Sequence, residues 1–186
     1  MNMKERELIV LRTRSWKILS VTLPPTLGIF GTVATLKGLE SGGARDFWYV
    51  VATLLALAGL IQRILSSRVL LEPTTLTVIN PVFTYSCPRE FVRWPVVGSD
   101  GGLEIHLRDG SVINSFAFGG SLISRALGTG SKSVGEISDW LNTPRGEVGD
   151  EIHVPRRELT RTLLPELTFA LAALFAVVGL VIRTAA

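Results

Sequence analysis

Three apolar runs, at 18–36, 47–65 and 163–182, limit what this chain can fold into. Ile18 to Leu36 is nineteen residues without a formal charge. A helix needs ~20 such residues to cross the hydrocarbon core of a bilayer. The run is longer than the ~7–15-residue apolar core of a secretory signal. Pro24-Pro25 lies inside it, and Ser20 and Thr22 are placed to satisfy the carbonyls that prolines leave free in a membrane helix. Phe47, Trp48 and Tyr49 open the second run as an interfacial aromatic belt. Arg63, near its other end, reaches the headgroups by extending its stem. The sequence therefore predicts a basic N-terminal segment over 1–17, a transmembrane helical hairpin over 18–65 and a third transmembrane helix over 163–183.

Orientation follows from the distribution of Lys and Arg. Five basic residues precede the first run, at Lys4, Arg6, Arg12, Arg14 and Lys17. Arg63 and Arg68 end the second, and Arg156, Arg157 and Arg161 precede the third. Only Arg183 stands at the far end of that run. The positive-inside rule then predicts a multi-pass protein of the cell (inner) membrane, with its N-terminus and residues 66–162 in the cytoplasm. The isoelectric point near 9.4 does not point to nucleic acid. Residues 62–161 carry eleven basic and eleven acidic residues, so the surplus charge belongs to the membrane flanks.

Residues 66–142 read as one cytoplasmic domain. Leu103, Ile105 and Leu107 alternate with Glu104, His106 and Arg108, the period of a half-buried strand. Asp109-Gly110 follows and predicts a type I′ turn, with positive φ at both central residues. Val112 to Phe118 is the returning strand. Upstream, RVLLE, TLTVIN, VFTYS and REFVRW are short strands separated by Pro73-Thr74, Asn80-Pro81 and Pro88. Such spacing predicts an antiparallel meander closed into a small barrel or sandwich. Ser133-Val134-Gly135-Glu136 reads as a capping box, and Val134, Ile137, Trp140 and Leu141 form one apolar face of the helix after it. Residues 143–162 read as a linker. Leu8 to Leu11 fits a short strand or an interfacial helix equally well.

The chemistry-bearing residues are sparse. Cys87 is the single cysteine, which rules out an internal disulfide or a multi-cysteine metal site. Gly128 to Ser133 resembles a phosphate loop only loosely, because Ala126 and Ser131 stand where that motif needs glycine. His106 and His153 have no ligand-type neighbours at metal spacing. Glu90 and Glu104 are better explained as partners of Arg93 or Arg108 than as an acid–base pair. No catalytic residue, cofactor or metal is expected. Arg125 and Lys132, set among glycines, are the candidate contacts for anionic headgroups or a partner.

Arg89-Glu90-Phe91-Val92-Arg93-Trp94-Pro95, Leu107-Arg108-Asp109-Gly110 and the closing helix with Trp140 resemble the bacterial pleckstrin-homology-like (PH-like) domains. With paired helices ahead of the domain, the chain is similar to actinobacterial membrane proteins of that type. The resemblance covers about residues 66–142. It implies a bent seven-stranded barrel plugged at one end by the helix, without enzymatic activity or a fixed ligand. The fold class expected is thus three transmembrane helices plus an antiparallel β PH-like barrel closed by a C-terminal helix. The function expected is non-catalytic: a scaffold or adaptor holding a protein partner or lipid headgroups at the membrane surface. The alternative is an accessory subunit of a membrane transport or envelope-biogenesis complex whose helices carry the interaction.

Overall fold

The structure, a computed structural model, describes residues 8–12, 44–118, 129–143 and 154–185, with residues 22, 26, 28–31, 33, 36 and 37. The chain divides into two compact units. One comprises residues 1–14 and 66–160, the other residues 15–65 and 161–186.

The first unit is built on two antiparallel sheets. Strands β1 (Ile9–Leu11), β2 (Arg68–Leu71), β3 (Thr75–Ile79), β4 (Phe83–Pro88) and β8 (Arg156–Leu159) form a five-stranded sheet in the order β1-β2-β3-β4-β8. Strands β5 (Val92–Val97), β6 (Leu103–Leu107) and β7 (Val112–Ser115) form a three-stranded one. The expected closed barrel is not present. The chain passes from one sheet to the other through a 3-10 turn at Arg89–Phe91, and no ladder among the described residues joins the two. Their inner faces share one core. Val69, Leu71, Leu76, Val78 and Cys87 meet Val92, Leu103, Ile105, Leu107 and Ile113, all buried. The alternation of Leu103, Ile105 and Leu107 is the inward register of β6.

Helix α2 (Thr129–Asn142) completes this core with Ile137 and Trp140, while Val134 and Leu141 pack at its margin. It starts four residues before the capping box expected at Ser133, which lies buried inside the helix. Glu136 instead pairs with Lys132 at 3.7 Å. The early start is allowed by packing. A Cβ on Gly130 would come within 3.2 Å of the Gly101 carbonyl oxygen, so glycine lets the first turn approach the β5–β6 loop closely.

Two segments outside 66–142 belong to this unit. Residues 9–11 form a strand, which decides between the two readings of the N-terminal segment. Ile9 pairs with Leu71 and Leu11 with Val69. The expected linker contains β8, whose residues are all exposed. Arg157 places its guanidinium carbon 3.7 Å from the Phe83 ring centroid and 5.7 Å from that of Tyr85. This stacking supports an edge strand that buries no apolar face.

The Asp109-Gly110 turn differs from expectation. Only Gly110 has positive φ, at 86°. The Gly110 N–H donates to Leu107 O at 3.2 Å and the Leu107 N–H to Ser111 O at 2.9 Å. This is the three-residue hairpin, a turn followed by a left-handed glycine. Asp109 stays in the ordinary region because its Oδ1 accepts from the Ser111 N–H and hydroxyl, at 2.9 and 2.7 Å.

The second unit holds α1 (Ala44–Leu65) and α3 (Leu163–Ala185). Phe47–Leu65 and Leu163–Ile182 within them are long and apolar enough to cross a membrane. Most of the first apolar run lies outside the described residues. The residues described there are helical, and a Cβ on Gly31 would meet Leu54 at 3.2 Å. Helices α1 and α3 pack antiparallel. The Trp48 and Phe175 rings stack at 5.4 Å. A Cβ on Gly59 would lie 2.9 Å from Thr168 Oγ1, and one on Gly179 would lie 3.1 Å from Trp48 Cβ. Small residues at such points let helices approach where lipid offers no hydrophobic drive.

Two glycines on α2 predict opposite outcomes. Gly135 has nothing within 4 Å of an added Cβ, so Gly135→Ala is expected to stabilise by roughly 0.5–1 kcal/mol through helix propensity. Gly130→Ala is expected to destabilise, by about 1 kcal/mol or more, through overpacking. Thermal unfolding in detergent, compared with the unaltered chain, checks both signs.

Candidate functional site

The described residues of the first unit enclose a groove of about 460 Å³ beside α2. Its floor is apolar: Ile9 of β1, Leu71 of β2, Pro73 of the β2–β3 turn and Trp140. Its rim is acidic, with Glu72 from the turn and Glu136 and Asp139 from successive turns of α2. Arg89 and Thr143 close one end.

Local sequence explains how these side chains are held. Pro73-Thr74 turns the chain between β2 and β3, with the Glu72 N–H donating to Thr75 O at 2.9 Å. The turn leaves the Glu72 carbonyl free to accept the Trp140 indole N–H at 2.8 Å. Trp140 thereby meets the polar requirement of its ring while the rest is buried. Pro88 ends β4, and the next residue, Arg89, donates its N–H to Thr74 O at 2.8 Å. The Arg89 side chain is 7% exposed. Its Nη2 donates to the Thr143 carbonyl at 2.6 Å, and its guanidinium carbon lies 5.0 Å from the Trp140 ring centroid. A buried guanidinium is costly unless it is hydrogen-bonded. Here it holds the Thr143 carbonyl, one residue past the end of α2, where the helix dipole is negative. Both of the site's large side chains thus donate to backbone carbonyls.

An apolar concavity with three carboxylates at its lip suits a chain segment offering an apolar anchor flanked by Lys or Arg. Among the described residues no Cys, His or Lys lines it. Among the described residues no three His, Cys, Asp or Glu gather as a metal site.

Of the two contacts expected from sequence, Lys132 lies on the exposed side of α2, paired with Glu136 and so at the edge of the groove. Arg125 lies outside the described residues, as does His153. His106 is half-buried on the outer face of β6, stacked on Trp94 at 5.8 Å, with Nε2 3.5 Å from Glu104. Arg93 covers the Trp94 ring at 4.0 Å. Glu104 thus faces His106 and not Glu90, and the two carboxylates do not form a pair. Cys87 is fully buried, and burial first, then the charge of Asp109, push its thiol from 9.0 up to about 11. Asp109 is held below the ordinary carboxylate range, first by the Ser111 hydroxyl and then by the Ser111 N–H. The sequence pointed to Trp140 only as a core residue, and to Arg89 only as the start of a strand. The one available signal for the groove was Pro88-Arg89, a strand stop followed by a cation, ahead of an acidic helix.

No family model matches this chain, and no match was found among curated proteins or solved structures.

Two measurements test this geometry. Arg89→Ala removes a charged hydrogen bond and a ring contact, and should destabilise by about 2–3 kcal/mol in chemical unfolding. Cys87 should resist alkylation at pH 8 in the folded chain and react on unfolding. Because the folded thiol is the weaker acid, its neutral form carries the contribution to stability. That contribution is complete below about 9 and is lost as pH rises towards 11.

Proposed function

We propose that this chain is a non-catalytic, membrane-anchored adaptor whose soluble unit captures a protein partner in the groove beside α2. The observation that carries the reading is the pairing of a fixed apolar floor with an acidic lip. The anchor is supplied by two helices long and apolar enough to cross a membrane. The partner's recognised feature is an apolar residue with basic neighbours, for charge complementarity with Glu72, Glu136 and Asp139. In this reading the run at 18–36 is a third span, and the soluble unit faces the cytoplasm of a bacterial inner membrane. The basic flanks at Arg63, Arg68, Arg156, Arg157 and Arg161 support that orientation.

The proposal also keeps the PH-like assignment. A sheet of β1 to β4 followed by a sheet of β5 to β7 and a helix, in that chain order, supports it. In this chain, β1 and β2 are separated by the apolar helices, and β8 is an addition.

A photoreactive residue at position 136 in the full chain, expressed in cells, should give a discrete crosslinked protein. Asp139→Lys with Glu72→Lys should reduce that product about tenfold or more, the scale of losing complementary charge at an interface. Equal yield from a photoreactive residue at position 111, or no effect of the charge reversal, would count against the groove as the docking site.

A further inference from the structure

The five-stranded sheet releases the chain toward the apolar helices three times, and all three exits lie at one end of it. Leu11, the last residue of β1, pairs with Val69, beside the start of β2 at Arg68. Arg68 pairs with Ile79 at the end of β3, and Ile79 with Thr84 near the start of β4. Leu159, the last residue of β8, pairs with Phe83. Only Ser66 and Ser67 separate α1 from β2, and only Thr160 to Thr162 separate β8 from α3. Extended chain covers at most ~3.3–3.6 Å per residue, so the three steps from Leu65 to Arg68 reach about 11 Å and the four from Leu159 to Leu163 about 14 Å.

Hydrogen bonds hold this end together. Asn80, in the β3–β4 turn, donates its side-chain N–H to Asn114 O and accepts the Phe116 N–H, both at 2.7 Å. Its backbone oxygen accepts the Thr160 hydroxyl at 2.8 Å. The Thr160 N–H donates to Val82 O at 2.9 Å. Gathered on this rim are three exposed apolar side chains: Val82 at 53%, Leu159 at 63% and Phe116 at 45%. Arg68 opens β2 exposed, Arg12 follows β1, and Arg161 follows Thr160. Asp100 is the carboxylate of the β5–β6 loop at this end, occupied by the Gly102 N–H at 2.8 Å. The acidic groove, with Glu72 in the β2–β3 turn, opens at the opposite end of the same sheet.

We infer that this rim is a lipid-binding surface: Val82, Phe116 and Leu159 enter the interfacial zone of the bilayer, with Arg68 on its anionic headgroups. The inference rests on the reading that α1 and α3 cross a membrane. Given that, two residues separate the end of one span from Arg68, and three separate Leu159 from the start of another. Apolar side chains there gain by entering the interface, and basic residues beside an anionic leaflet gain further.

The test uses the full chain in lipid nanodiscs containing phosphatidylglycerol, with native Cys87 retained as the unreactive background. Fluorophores are placed on Val82→Cys, Phe116→Cys and Leu159→Cys, on Ser111→Cys at the far hairpin, and on Leu57→Cys and Leu171→Cys within the helices. Headgroup nitroxide lipids should quench the three rim positions several-fold more than position 111, with blue-shifted emission. Arg68→Glu should weaken that rim quenching in anionic discs, leaving quenching at 57 and 171 by acyl-chain nitroxides unchanged. Rim probes that match position 111, while 57 and 171 are quenched, overturn the rim contact and leave the spans standing. If 57 and 171 also escape quenching, the membrane reading fails and the rim contact fails with it.

Discussion

The Asn80 side chain ties the two sheets of the first unit together. It sits where the five-stranded sheet, the three-stranded sheet and the last strand all come to an end. Its amide has two donors and a carbonyl oxygen, and it uses one of each, at 2.7 Å, on the backbone of β7 and the turn after it. No ladder among the described residues links the two sheets, so this bridge stands in for one. The same residue's carbonyl holds Thr160, whose hydroxyl also lies 2.9 Å from that of Thr84. Strand ends left unpaired carry backbone groups that must find partners. A single asparagine in a turn meets several of those needs at once.

That bridge also explains where sequence and structure part. The returning strand was read through to Phe118, yet it gives way to a 3-10 turn at Phe116–Phe118. Once Asn80 takes the Phe116 N–H, the ladder with β6 ends at Ser115. Period-two alternation cannot report a hydrogen bond from 36 residues away. Local patterns did carry β6, its turning point at Gly110, the apolar face of α2 and the two described helices long and apolar enough to cross a membrane. The strands β1 and β8 were the hardest to read. β1 is three residues long and pairs with a strand some sixty residues on. β8 buries nothing and owes its place to pairing with β4 and to arginine on Phe83. Neither has a periodicity to find.

The groove was illegible for a related reason. Its parts come from β1, the β2–β3 turn, the turn after β4, and the last turns of α2. Each residue has an ordinary local explanation: Trp140 as core, Glu136 as a helix-surface acid, Arg89 as a strand flank. What makes them a site is that Arg89 is buried and satisfied by a helix end 54 residues later. The expected contacts, Arg125 and Lys132, were chosen for charge beside glycine. Of the two, only Lys132 is described, and it is engaged with Glu136, so the acidic side chains define that region more than the basic ones.

Because β1 pairs with β2 across α1 and the apolar run before it, the first unit is not a contiguous stretch of chain. A ribosome making this protein releases Ile9 to Leu11 long before their partner strand exists. Those residues have to wait while the intervening apolar segments are made, and the far edge of the sheet stays open until residues 156–159 arrive. A fragment beginning at residue 66 and ending at 142 would carry two bare strand edges, on β2 and β4, of the kind that pair with foreign strands. Completion of the first unit is therefore tied to the synthesis of the apolar segments within its own chain. The five-stranded sheet is complete only after the residues between β1 and β2 have left the ribosome.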